Sequence, residues 1–175
     1  MYIIGIDPGL TGAIADSGGR VFDLPTKMKG KGGGIIKNHI DGDQVYNILM
    51  HLISSVTDVN AHIKIYIEEQ VYRKKFKPKF AGGGEIPQGG SSIFSLGDSY
   101  GAIRTAAELT RADVVTVMPA AWKKKLVLSP DKEECRAKAI KLFPQSVNEL
   151  KRKKDHNRAE ALLLTHYGML MEGIR

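Results

Sequence analysis

Apolar residues fill Tyr2-Ile3-Ile4-Gly5-Ile6 and stop at Asp7, where Pro8-Gly9 turns the chain. A short apolar run bounded by a turn signal predicts a buried strand over residues 2–7. Residues 11–15 and 20–24 flank Ser17-Gly18-Gly19, a hairpin signal. A basic, glycine-rich loop at 27–34 precedes a further candidate strand at 35–40. The period then changes. Val45, Ile48, Leu49, Leu52 and Ile53 recur at helical spacing, and Asp41 or Asp43 stands where a helix running to about residue 55 needs its cap. Residues 63–67 are β-prone and run directly into Glu68-Glu69. Residues 73–91 read as a long basic and glycine-rich loop, of a length that is usually functional or disordered. Ser91 or Ser92 opens a helix to about residue 109, and 113–118 reads as a strand stopped by Pro119. A short helix is expected at 120–126. Ser129-Pro130-Asp131 reads as a cap followed by proline at the first helical position, opening a helix to about residue 143 that Pro144 ends. The last helix is expected over about 156–170. Three strands joined by tight turns, followed by βα alternation and then helices, imply an α/β fold, a mixed sheet covered by helices on both faces. No internal repeat or composition break divides the chain, so residues 1–175 read as one domain.

This arrangement ends several predicted elements on acids. Asp7 closes the first strand, and a carboxylate there is costly to bury unless a cation or hydrogen bonds meet it. The plain alternative is an Asp-Pro-Gly turn in which Asp7 caps the turn. Glu68 and Glu69 follow strand 63–67, and alternation sends them to opposite faces, so only one can join a given site. Glu160 lies where a polar helix start becomes apolar, with Asn157 and His156 three and four residues earlier on the same helix face. Asp155 is five residues away and converges on Glu160 only if it precedes the helix; its alternative role is an N-cap. Three acidic regions at the ends of elements match a Mg²⁺ site in kind, since hard cations take carboxylate oxygens. Two such ions could polarise a phosphodiester and lower the pKa of an attacking water. No covalent nucleophile stands out around Ser91-Ser92 or Cys135.

Charge points the same way. The formal net charge is +7, which favours a polyanionic partner. Basic residues cluster at 27–31, 73–79, 123–125 and 151–154, each in or beside an expected loop, as DNA or RNA phosphate contact requires. A single cysteine excludes an internal disulfide and a cysteine-rich zinc site and fits an intracellular, reducing setting. No apolar run is long enough to span a bilayer, and the first residues lack the pattern of a signal peptide, so no membrane partner is expected.

Five motifs in order carry a family resemblance: Ile4-Gly5-Ile6-Asp7-Pro8-Gly9, Ile67-Glu68-Glu69-Gln70-Val71, the run from Gly89-Gly90-Ser91-Ser92 to Gly101-Ala102-Ile103-Arg104, Pro119-Ala120-Ala121-Trp122-Lys123, and Arg158-Ala159-Glu160-Ala161-Leu162. With them the chain resembles the RuvC-like Holliday-junction resolvases of the ribonuclease H-like superfamily, and most of all their phage-encoded branch. The resemblance covers nearly the whole chain. It implies a ribonuclease H-like mixed sheet of five strands, the first three antiparallel, in the order 3-2-1-4-5. It also implies a homodimer and Mg²⁺- or Mn²⁺-dependent hydrolysis of branched DNA, with two ions and paired nicks in a four-way junction, in a bacterial cell or in host cytoplasm. The site residues it implies are Asp7, Glu68, Asp155 and Glu160, with Glu69, His156 and Asn157 as alternatives. The family carries an Asp or His three or four residues before the last acid, where this chain has Asn157 and His156, so the fourth ligand stays open among Asp155, His156 and Asn157.

The loop after Glu68 alternates the aromatics Tyr72, Phe76 and Phe80 with Arg73, Lys74, Lys75, Lys77 and Lys79, a composition suited to stacking on unpaired bases while cations hold phosphates. Lys123 and Lys124 are expected to hold another strand, and Trp122 reads as core. Gly97 and Gly101 share one helix face; the resemblance implies that this helix pairs at the dimer interface, with close internal packing as the competing explanation. Three rival functions are a broader flap or fork nuclease, an actin-like ATPase, which needs a second phosphate loop that this chain lacks, and an inert junction-binding protein.

Overall fold

The computed structural model describes residues 1–28, 38–70, 75–76, 85–86 and 90–174. Along the chain it forms β1 (Tyr2–Asp7), β2 (Ala13–Asp16), β3 (Val21–Asp23), β4 (Thr26–Met28), β5 (Asn38–Ile40), α1 (Gly42–Ser54), β6 (Ile63–Glu68), β7 (Lys75–Phe76), β8 (Glu85–Ile86), α2 (Gly90–Leu109), β9 (Asp113–Val117), α3 (Pro119–Lys125), α4 (Lys132–Leu142) and α5 (His156–Met171). A five-stranded sheet runs β3-β2-β1-β6-β9. Counted within the sheet this is 3-2-1-4-5, the expected order. β1, β2 and β3 pair antiparallel, and β6 and β9 continue parallel to β1. It is the mixed, ribonuclease H-like α/β architecture.

Each strand of the sheet interior sends alternate residues to two apolar layers. Ile3 and Tyr66 pack with Trp122, Ala139, Phe143 and the buried face of α5. Ile4, Ile6, Ile65 and Ile67 pack on the other side with Val45, Leu49 and Leu52 of α1 and Ile103, Ala106 and Ala107 of α2. α5 lies close against β1 because both contact positions are bare. A Cβ on Gly5 would meet Thr165 Oγ1 at 2.5 Å and Ala161 O at 2.6 Å, and one on Gly168 would meet Ile3 and Tyr66 at 2.7 Å. Thr165 fastens the contact, its hydroxyl lying 3.1 Å from Ala15 O and 2.9 Å from Ala161 O.

Several boundaries differ from expectation. The segment expected as one strand at 35–40 is described from Asn38, and it pairs with β4 in a separate ribbon instead of joining the sheet. Pro25 separates β3 from β4 and carries no N–H to extend the sheet's ladder. The segment expected as loop over 73–91 contains the β7–β8 ribbon and the start of α2. α4 is capped by Asp131, whose carboxylate accepts from Glu133 N at 2.7 Å; Ser129, expected as the cap, accepts from Asp131 N, and Pro130 stays outside the helix. Among the described residues no helix is long and apolar enough to cross a membrane.

Candidate metal centre

The alternation that builds the two layers also selects the acids. On β1, Ile3 and Gly5 face α5, and Asp7 continues that row. On β6, Tyr66 and Glu68 do the same. Parallel pairing of Gly5 with Tyr66 and Ile6 with Ile67 brings Asp7 and Glu68 side by side one step further on. Glu160, in the second turn of α5, reaches the same point from above the sheet. One oxygen from each of Asp7, Glu68 and Glu160 lies within 4.8 Å of the others, and all three residues are partly buried. Gln70 Nε2 donates to Pro8 O at 2.8 Å and ties together the loops that follow the two strand-borne acids.

Three carboxylates this close repel. Burial, and then the charges of Glu160 and Glu68, push the Asp7 carboxyl up to about 7. The chain supplies partial relief from α3. Trp122 is buried, and its indole Nε1 donates to Glu68 Oε2 at 2.8 Å. Lys123 Nζ lies 2.9 Å from Glu160 Oε2 and 3.7 Å from Glu68 Oε2. Burial pulls the Lys123 ammonium down, but the hydrogen bond to Glu160 and the charges of Glu160, Glu68 and Asp7 hold it above the usual lysine value. An all-oxygen donor set with excess negative charge fits hard divalent cations such as Mg²⁺ or Mn²⁺. It does not suit soft metals, which want sulfur or imidazole.

The structure separates the two glutamates of the strand end. Glu68 joins Asp7 and Glu160. Glu69 lies on the α2 side, where its charge helps burial raise the Tyr100 phenol, and its backbone N donates to Val117 O.

None of the three residues competing for the fourth position belongs to the cluster. Asp155 sits in a 3-10 turn (Lys153–Asp155) before α5 and is only 4% exposed. Arg152 claims it: the guanidinium lies 2.8 Å and 3.0 Å from Oδ1, and Arg152 N donates to Oδ2 at 2.8 Å. The Arg152 hydrogen bond holds the Asp155 carboxyl below the ordinary aspartate value. Asn157 Nδ2 donates to Thr11 O at 2.6 Å and lies 2.8 Å from Thr11 Oγ1, pinning α5 to the turn after β1. His156 is held by two groups: its Nε2 lies 2.8 Å from Lys132 Nζ and its Nδ1 lies 3.3 Å from Lys153 O. A cavity of about 400 Å³ opens beside these residues, between Thr11, Asp23, Arg152, Asp155 and Arg158. Arg158 spans it with a two-pronged contact to Asp23, both oxygens at 2.6 Å.

The expected DNA-contacting residues fare differently. Tyr72, Arg73, Lys74, Lys77 and Lys79 lie outside the described residues, and Lys75 and Phe76 form the backbone of β7. Lys124 is exposed, whereas Lys123 turns inward to the acids. Close packing among the described residues does not explain Gly97 and Gly101, because a Cβ on either would meet none of their atoms within 4 Å. Both open onto a groove of about 760 Å³ shared with Gly42 and Tyr46 of α1.

Sequence reading missed Lys123 as a partner of the acids, the indole bond of Trp122, and the Lys132–His156 contact. Trp122 left a signal, since a buried indole N–H needs an acceptor. The two lysines left none that distinguishes them from other surface cations.

No protein-family model matches this chain, and no curated protein matches it in sequence. Solved structures do match in fold. RuvC from Thermus thermophilus is 15% identical, with a TM-score of 0.50 over 98% of this chain and 96% of that one. T. thermophilus RuvC in complex with its Holliday junction substrate is 16% identical, with a TM-score of 0.52 over 99% of this chain and 97% of that one. At such identity the likeness is one of fold, and the fold of this chain is that of RuvC.

Proposed function

We propose that the chain, as one domain over residues 1–175, is a structure-selective endonuclease. It hydrolyses phosphodiesters in four-way DNA junctions by paired nicks within a homodimer. The observation that carries this reading is the convergence of Asp7, Glu68 and Glu160 from β1, β6 and α5 to within 4.8 Å. A fold shared with a protein solved on a Holliday junction, and a net charge of +7, supply the substrate class.

In this reading Asp7, Glu68 and Glu160 would hold one or two Mg²⁺ or Mn²⁺ ions, which would polarise the scissile phosphodiester and lower the pKa of an attacking water. Trp122 fixes the rotamer of Glu68 through its indole bond. Asn157 and Thr11 fix the start of α5 relative to the turn after Asp7, and so set where Glu160 points. Lys124 and the basic residues of 73–79 are the ones that contact DNA phosphates, and the open groove along Gly97 and Gly101 is the face for the second copy.

The test uses labelled four-way junction, flap and linear duplex DNA, each incubated with purified protein in Mg²⁺ or in EDTA. Symmetric nicks confined to the junction, dependent on Mg²⁺, are expected. Cleavage of flaps at least as fast as junctions turns the reading into a broader branched-DNA nuclease. Tight junction binding with no cleavage under any divalent ion makes the protein an inert junction binder.

A further inference from the structure

One cation of the site belongs to the chain itself. Lys123 bridges two of the three acids from a helix that contributes nothing else to their charge, with Nζ at 2.9 Å from Glu160 and 3.7 Å from Glu68. Its neighbour Trp122 holds the same Glu68 oxygen from a buried indole. α3 therefore supplies two donors of different kinds to one place. The indole is fixed, neutral and 1% exposed. The ammonium sits on a flexible four-carbon stem that is 37% exposed and stands 4.9 Å from the Trp122 ring centroid. A fully buried lysine could not leave, and a fully exposed one would not be held. Partial exposure, with contacts to two of the three carboxylates of the cluster, gives an exchangeable occupant.

We propose that Lys123 is the resident counter-ion of the acid cluster: it offsets part of the charge of Glu160 and Glu68 in the metal-free protein, gives up that place when a divalent cation binds, and is then free to hold a DNA phosphate. The inference rests on the reading of Asp7, Glu68 and Glu160 as a cation site. Its physical content is competition. Like charges repel, and an ammonium 2.9 Å from Glu160 and 3.7 Å from Glu68 occupies part of the space and lone-pair capacity that a divalent ion would use, so metal affinity is lowered by whatever the lysine contacts contribute. By linkage, a polyanion that draws the ammonium away raises metal affinity. Loading of the site is thereby coupled to arrival of DNA, and metal stays weakly held without substrate.

The experiment measures Mn²⁺ binding to the full chain without DNA, reading free Mn²⁺ by its paramagnetic resonance signal. Emission of Trp122, the only tryptophan, is followed in the same titration. Lys123→Met is expected to tighten Mn²⁺ binding about fivefold to tenfold, the scale of a half-exposed ion pair shared by two acids. Lys123→Arg, which keeps the charge, stays closer to the parent than either neutral variant. Lys125→Met removes the same charge from an exposed position of the same helix and stays within about twofold of the parent. Lys123→Gln serves as a second neutral variant should the methionine variant fold poorly, with circular dichroism melts confirming the fold of each. Unchanged or weaker Mn²⁺ binding in the folded neutral variants overturns the counter-ion role. If the parent binds Mn²⁺ and Asp7→Asn does not, that failure leaves the cation site standing. If neither the parent nor the neutral variants bind Mn²⁺, the site reading falls together with the inference. Binding by a neutral variant alone supports the inference in its strongest form.

Discussion

Asp7 and Asp16 end adjacent antiparallel strands of the same sheet, and their surroundings are opposite. Asp16 is fully buried and completely served. It accepts from Tyr2 Oη at 2.5 Å, Gly18 N at 2.8 Å, Arg20 N at 2.9 Å and Arg20 Nε at 2.5 Å. The Arg20 guanidinium continues to Tyr2 Oη and Ser55 Oγ, so the acid closes a network that fastens β2 to β1 and to the end of α1. Asp7 faces Glu160 and Glu68 instead, and burial with those charges drives its carboxyl up to about 7. A satisfied buried acid is a structural tie. A crowded one weakens the fold unless something outside the chain is meant to join it.

The largest expected effect separates the two acids by activity. Asp7→Asn should lower Mg²⁺-dependent junction cleavage by about a thousandfold or more while leaving junction binding intact, because a ligand to the ions is lost and the basic surface is not. Asp16→Asn should keep cleavage within about tenfold in the fraction that folds. Gel assays of nicking and of binding on the same preparations check both. Normal cutting by Asp7→Asn would reduce Asp7 to a turn residue and dissolve the contrast.

Stability should separate them in the reverse sense. Asp16→Ala strands the Tyr2 hydroxyl, two backbone N–H groups and a guanidinium that is 40% exposed and can partly recover water. The expected cost is about 2–4 kcal/mol in urea unfolding. Asp7→Asn should stabilise the metal-free protein. A carboxyl whose folded pKa is raised from near 4 to about 7 contributes no penalty below pH 4, a growing one as pH rises, and a constant one above about 7. In EDTA the gain from Asp7→Asn should thus be absent at pH 4 and reach about 1–3 kcal/mol at pH 8. Saturating Mg²⁺ should stabilise the parent by mass action and leave Asp7→Asn unmoved. A gain independent of pH would mean that crowding by Glu160 and Glu68 is not the cause.

The same contrast explains what the chain reveals before folding. Asp7 and Glu68 were legible because both end apolar runs, and a period of two fixes which face each carboxylate takes; that rule also sets Glu69 apart. Glu160 was legible because the helix turns apolar around it. The sheet order came with the resemblance, and the hairpin at Ser17-Gly18-Gly19 was written in its turn residues. Asp16 gave no such signal. Its bonds to Gly18 and Arg20 are local, but the part that ties strands together runs through Tyr2 and, by way of Arg20, Ser55, and contacts over such separations leave no local pattern. Lys123 was legible as a cation but not as one turned inward, since a lysine stem reaches either way and only the acids around it decide. β5 was legible as a strand but not as the partner of β4, because a strand of three residues carries too little pattern to specify its partner.

Asp155 gives the smallest effect and the sharpest discrimination, because sequence placed it with Asp7 and the structure places it with Asp16. Like Asp16 it is buried and held by an arginine, with Arg152 N as an added donor. If it is a tie of that kind, Asp155→Ala and Arg152→Ala should each lower the melting temperature by a few degrees, about 3–6 °C for a domain of this size. The double variant should fall short of the sum, because each substitution removes the same contact. Cleavage should drop less than about tenfold, reflecting only the looser start of α5. The opposite pattern has an equally concrete form. If Asp155→Asn melts like the parent yet loses cleavage as Asp7→Asn does, then Arg152 is a partner that lets go when cations and DNA arrive. The carboxylate would then move from the structural class of Asp16 to the crowded class of Asp7.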